Sequence, residues 1–217
     1  PPYSIKQWDR EAFASDPYGR NFLGTPPQGR ADYAFIQHIL KSMDPHTGRC
    51  SILLPHGVLF RNEESEMRER LVRSDLVEAV IGLGANLFFN SPMEACILIC
   101  RSEKAPNRSK KILFVDASAE VTRKNAQSYL EPQHIKRIVD AYRSDEDIEG
   151  FSSHASFSEL EGNAFSLSIP LYVKPSNDEN ADDRSIEETV ESWRAASTEA
   201  ASLLDIIAAK LHENDGE

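Results

Sequence analysis

Few residues in this chain have types and spacing that could do chemistry. The first three, Pro1-Pro2-Tyr3, open the run PPYSIKQWDR. Paired prolines fix φ and remove backbone donors, so the aromatic that follows sits on a stiff lead. The run reads either as an extended arm or as the tail of a longer motif whose first residue precedes Pro1. Arg30 and Asp32 flank the start of a helical pattern, as a surface pair or as polar groups of a cleft. Gly82-Leu83-Gly84 follows a strand-like run. A dinucleotide fingerprint would need a third glycine and a helix, and here a Phe88-Phe89 loop follows instead. The six histidines show no ligand spacing, and G-x-S-x-G, Walker and H-E-x-x-H runs are absent, so no metal site is expected. Cys50, Cys96 and Cys100 have no framework spacing and read as reduced thiols. Cys96 and Cys100 fall on one face of a strand and read as small buried apolar groups.

The elements that must position these residues follow from hydrophobic period. Residues 3–30 are rich in Gly, Pro, Asp and Asn and read as a long loop, a feature that is usually functional. Ile36, Ile39, Leu40 and Met43 then mark one helical face, with Asp32 suited to the positive helix start. CSILLP reads as a strand buried on both faces, as in a parallel sheet. EESEMRERLVRS reads as a helix with Glu66–Arg70 and Glu69–Arg73 pairs on its wet face. LVEAVIGL, MEACILICRS and ILFVDAS read as strands. The short link between the first two of these makes MEACILICRS return antiparallel, and EKAPNRSKK reads as a hairpin-like connection to ILFVDAS. Helical signal covers about 119–143, with Pro132 in a first turn and Ile135, Ile138, Val139 and Tyr142 on one face. This order predicts an open, mixed α/β sheet followed by C-terminal helices.

Charge divides the chain. Residues 176–217 hold 12 acidic and 3 basic residues, a net −9, which leaves −2 for the first 175. A near-neutral body argues against broad non-specific phosphate binding. After a polar linker, Ser185 and Glu188 form a capping box that opens a last helix. Ile186, Val190, Trp193, Ser197, Ala200, Leu204, Ile207 and Leu211 alternate four and three apart on it, a heptad-like stripe. The stripe packs either on its own domain or on a partner. No apolar run reaches the roughly 18 residues needed to span a membrane, and no signal peptide is visible, so a cytoplasmic protein is expected.

Five runs occur in the order PPYSIKQW, GTPPQGRADYAFIQHIL, SILLPHGVLFR, EAVIGLGANLFFNSPMEACILI and SLSIPLYV. From Pro1 to about Lys174 this order resembles the modification subunit of type I restriction–modification systems, an adenine-N6 DNA methyltransferase. The resemblance implies the C-terminal part of a Rossmann-like sheet that uses S-adenosylmethionine, and a chain inactive on its own. It implies a motif of Asn-Pro-Pro-Tyr type, with its Asn before Pro1. Pro1, Pro2 and Tyr3 would be catalytic, Tyr3 stacking on an adenine flipped from the duplex. Flipping costs a few kcal/mol, and one aromatic stack returns about 1–3 kcal/mol. Arg30 and Asp32 would face the DNA cleft. The cofactor's glycine-rich loop and acidic ribose contact lie upstream in that family, so no cofactor-binding residue is assigned here. The implied partners are DNA, a specificity subunit docking on Ile186, Val190, Trp193, Leu204, Ile207 and Leu211, and a restriction subunit. The implied division is catalytic sheet 1–149, connecting segment 150–182 and docking tail 183–217. The alternative, without catalysis, is an α/β interaction module with a partner-binding C-terminal helix.

Overall fold

Helical and strand periods alternate as far as residue 162 in the computed structural model, which describes residues 1–3, 5–88, 91–125, 127–174, 190, 191, 193, 194, 197 and 198. In chain order the elements are α1 (Arg10–Ala14), α2 (Asp32–Lys41), β1 (Arg49–Pro55), α3 (Ser65–Arg73), β2 (Val77–Leu83), β3 (Ala95–Arg101) and β4 (Lys111–Ala117). Then come β5 (Thr122–Lys124), β6 (Gln127–Tyr129), α4 (Pro132–Arg143), β7 (Ser152–Ser156) and α5 (Phe157–Gly162). The chain divides into two compact units, Pro1–Ser176 and Asn177–Glu217. In the second unit the six described positions, Val190 and Trp193 among them, are helical. Ile186, Leu204, Ile207 and Leu211 lie outside the described residues.

The first unit is built on a five-stranded sheet of order β1-β3-β2-β4-β7. β3 runs antiparallel to both β1 and β2, β4 is parallel to β2, and β7 is antiparallel to β4. The expected mixed sheet and the antiparallel return of MEACILICRS are both present. The link from β3 to β4 is no hairpin, because β2 lies between the two strands. β7 carries the sheet past residue 149.

Period-2 alternation divides the core between the two faces of the sheet. Ile52, Leu54, Val80, Cys96, Leu98, Cys100, Ile112 and Phe114 join one cluster with Tyr33, Ile36 and Leu40 of α2 and Leu71 of α3. Ala79, Ile81, Leu83, Leu113 and Val115 face the other way, with Ile138 and Ala141 of α4. β2 is buried at every position, as a central strand under helices on both faces must be. β1 departs from its expected burial. Its positions alternate, and Leu53 is 41% exposed, because β1 is an edge strand that α4 does not cover. Cys50 pairs in register with Cys100, and burial pushes the Cys96 thiol up to about 12, so Cys96 stays protonated and apolar.

Two segments differ from their sequence reading. The helical signal begins at Pro132, and residues 122–129 form the β5–β6 hairpin instead. Ile135 lies off the buried face of α4, 48% exposed, while Ala141 is fully buried. The loop over residues 3–30 contains α1, capped by Asp9, whose carboxylate accepts from the Ala12 N–H. Its chain is stitched down. Gln37 of α2, fully buried, accepts from the Leu23 N–H at 2.7 Å and donates to the Gly24 carbonyl at 2.9 Å.

Candidate functional site

The strands β1, β2 and β4 point one way, and a cleft opens where β1 ends and β3 begins. In open α/β sheets this is where ligands bind, beyond the carboxyl ends of the parallel strands. The cleft is about 240 Å³ and is lined by Tyr3, Leu53, Pro55, Phe88, Met93 and Glu94 among others. Its walls are mainly apolar, so it favours a flat, weakly polar ligand part. The Tyr3 N–H donates to the Pro1 carbonyl at 2.9 Å, a three-residue turn that aims the ring inward. The ring meets Phe35 of α2 edge-on, with centroids 6.3 Å apart and planes at 90°. Burial raises the Tyr3 phenol above its ordinary value, and the charge of Asp32 adds to this. The phenol therefore stays neutral. Pro1 and Pro2 are exposed, so of the three only Tyr3 lines the cleft.

Asp32 does not line it. Its side chain is fully buried at the start of α2, where Arg61 Nη2 reaches its Oδ2 at 2.5 Å. Arg61 lies in the turn after β1, and its Nε also donates to Glu64 Oε2 at 2.7 Å. Glu64 is equally buried, and burial raises its carboxyl above the ordinary value even though Arg61 pulls it down. Arg68, almost wholly buried, closes the cluster by donating to the Arg61 and Phe165 carbonyls. Arg61 thus bridges two buried carboxylates, and the cluster fixes α2, and with it Phe35, against the end of β1. Arg30 is half-buried in a separate depression of about 310 Å³ with Lys6, Pro27, Gly29 and Glu63. The structure therefore places Tyr3 beside the Asp32 charge and gives Arg30 a different pocket.

Residues that no spacing argument singled out complete the cleft. Phe88 and Met93 come from the loop between β2 and β3, Phe88 in the NLFFNSP run and Met93 just after it. His56 follows β1, and its Nδ1 lies 3.4 Å from Glu94 Oε2 at the rim. Its Nε2 is buried without a hydrogen-bond partner among the described residues. Gly82 and Gly84 do packing work. A Cβ on Gly82 would come within 2.6 Å of Ile169 Cδ1, and one on Gly84 within 2.6 Å of the Ser118 carbonyl oxygen. These glycines let neighbouring segments approach and form no nucleotide loop. Among the described residues no group of three His, Cys, Asp or Glu is placed to hold a metal ion.

A mixed sheet helix-covered on both faces, with an aromatic-walled cleft at the ends of its parallel strands, defines the methyltransferase class of α/β fold. The chain belongs to the N-6 DNA methylase family, whose model matches residues 1–181. It is 31% identical over 215 residues to the type I restriction enzyme MjaVII methylase subunit of Methanocaldococcus jannaschii, covering 94% of this chain and 36% of that protein. It is 30% identical to the type I restriction enzyme HindI methylase subunit of Haemophilus influenzae, covering 83% of this chain and 42% of that protein. The methyltransferase subunit of a type I restriction–modification system from Streptococcus thermophilus superposes with a TM-score of 0.73 at 38% identity, over 80% of this chain and 36% of that one. The chain thus spans well under half the length of the relatives it matches.

Proposed function

We propose that the full-length protein is the modification subunit of a type I restriction–modification system and methylates N6 of adenine in DNA. The observation that carries this reading is Tyr3, held edge-on to Phe35 and forming a wall of the apolar cleft beyond β1. A flipped adenine entering the cleft stacks on the Tyr3 ring, and that stack offsets much of the few kcal/mol spent on unstacking. Pro55, Phe88 and Met93 exclude water from the base. The Pro1 carbonyl accepts one hydrogen bond from Tyr3, which leaves a second lone pair for the adenine amino group. The asparagine that the family resemblance implies before Pro1 would share that task. S-adenosylmethionine supplies the methyl group. The described residues offer it no glycine-rich cradle, since Gly82 and Gly84 are taken by packing.

The test is Tyr3→Ala and Tyr3→Phe in the full-length protein, measuring methyl transfer to unmethylated DNA. Loss of one stack costs about 1–3 kcal/mol. Tyr3→Ala is expected to lower kcat/KM by about 5- to 150-fold, with Tyr3→Phe close to the parent. Unaltered turnover and base affinity in Tyr3→Ala would remove Tyr3 from the mechanism.

The reading extends to the heptad-like stripe of the tail, which we assign to docking on the DNA-reading specificity subunit. A partner that reads the sequence accounts for a body that is not basic. Leu204→Asp puts a charge on that stripe and is expected to abolish co-purification with the partner while the sheet stays folded. Survival of the complex would refute this assignment.

A further inference from the structure

Beside the Tyr3 cleft lies a second, larger groove that the catalytic reading leaves unused. It is about 470 Å³, within the roughly 300–1,000 Å³ of small-ligand sites, and runs between the β5–β6 hairpin and the loop from Asn86 to Pro92. Cross-strand pairing sets its floor. Thr122 faces Tyr129 and Lys124 faces Gln127, so these four side chains share one face of the hairpin. Ser128 points the other way and is buried. The hairpin is stapled to the loop at one oxygen, for the Ser128 N–H and Gln127 Nε2 both donate to the Asn86 carbonyl, at 2.9 and 2.8 Å. The groove is therefore built, and it adjoins the cleft, because Phe88 and Ser91 line both.

Its chemistry is unlike that of the cleft. Lys124 is 67% exposed, and its one ion pair among the described residues is a 3.8 Å approach to Glu131. Tyr129 presents a ring that is 48% exposed. Asn86, Asn125 and Gln127 add amides. Arg123, one residue away on the opposite face, is exposed and makes no hydrogen bond or ion pair among the described residues. A cation, an open aromatic face and amide groups together fit an anion joined to a flat ring, which is a nucleotide. We propose that this groove holds the nucleotide adjoining the target adenine on the same DNA strand. Its phosphate meets Lys124 and its base lies on Tyr129, while the target itself occupies the Tyr3 cleft. The proposal rests on the methylation reading above and adds a second nucleotide site to it.

The test uses the full-length subunit with its partner chains, unmethylated genomic DNA as the probe, and kcat and KM measured over a salt series. Lys124→Gln is expected to raise the KM for DNA about 3- to 10-fold, to leave kcat within about 2-fold, and to reduce the salt slope by about 0.7–0.9, the share of one phosphate contact. Tyr129→Ala raises KM about 10-fold, and Tyr129→Phe restores it. Glu131→Gln, which uncovers Lys124, lowers KM about 2-fold, a gain that damage to the hairpin cannot produce. An unchanged KM and salt slope in Lys124→Gln overturns the proposal. So does a rise in the KM for S-adenosylmethionine with none for DNA, since the groove would then belong to the methyl donor. If the parent protein transfers no methyl group to any DNA, the methylation reading falls and this one falls with it. If the parent methylates and Tyr3→Ala is impaired while Lys124→Gln and Tyr129→Ala are not, only the groove is refuted.

Discussion

Arg61 is the side chain on which the most buried charge depends. It holds both Asp32 and Glu64, whose side chains are fully shielded from solvent. Taking one partner from a buried ion pair costs about 3–5 kcal/mol, because a charge is left without compensation. Arg61→Ala is expected to destabilise the protein by about that much in urea titrations at pH 7. The pH dependence has a definite sign. Glu64 already has its carboxyl raised by burial, and losing Arg61 raises it further. A raised carboxyl favours folding at low pH and loses that contribution as pH rises through the folded value. The deficit in Arg61→Ala is therefore smaller at pH 5 than at pH 7. An equal deficit at both would mean that the variant acts through packing and not through charge.

Among the elements, the segment before α2 depends on a few polar anchors. Asp16 and Arg20 form one of them. The Arg20 N–H donates to Asp16 Oδ2 at 2.8 Å, and the guanidinium bonds the same carboxylate. That side-chain bond holds Asp16 down at about 2, against an ordinary 3.8. A lowered carboxyl contributes stability above its unfolded value and loses it as pH falls through the folded one. The Arg20 amide resonance is expected to shift between about pH 3 and pH 1 with a midpoint near 2, and Asp16→Asn is expected to abolish the shift. A midpoint near 3.8 in the parent would show that the pair does not form. The other anchor, Gln37, has no titration and keeps Leu23 and Gly24 in place throughout.

For the molecule as a whole, the open side of β1 matters most. Of its two edges, one pairs with β3 and the other has no partner among the described strands. An unpaired seven-residue strand is a template for another chain, and charged side chains are a common defence. The 217-residue chain is expected to self-associate at micromolar concentration in sedimentation experiments. Ser51→Lys, on the exposed face of β1 and outside the cleft lining, is expected to shift it toward monomer. Monomeric behaviour of the parent chain at those concentrations would show that this edge is not available.

Local spacing alone determined α2, α3 and the body of α4, because an amphipathic period needs only neighbours in the chain to be read. The order of five runs determined the family. Tertiary structure decided the rest. β1 reads as a doubly buried strand until the sheet order makes it an edge. Asp32 reads as a cleft or surface residue until Arg61, 29 residues later, draws it into the interior. Residues 122–129 read as helix because two three-residue strands are too short to show a period. Their register is fixed by a turn at Asn125, with φ of 57°, and by bonds to Asn86, about 40 residues away in sequence. Phe88 becomes the wall shared by cleft and groove for the same reason. Each of these outcomes depends on pairings between distant parts of the chain, and the free energy of such pairings is set by the fold and leaves no local pattern in the sequence.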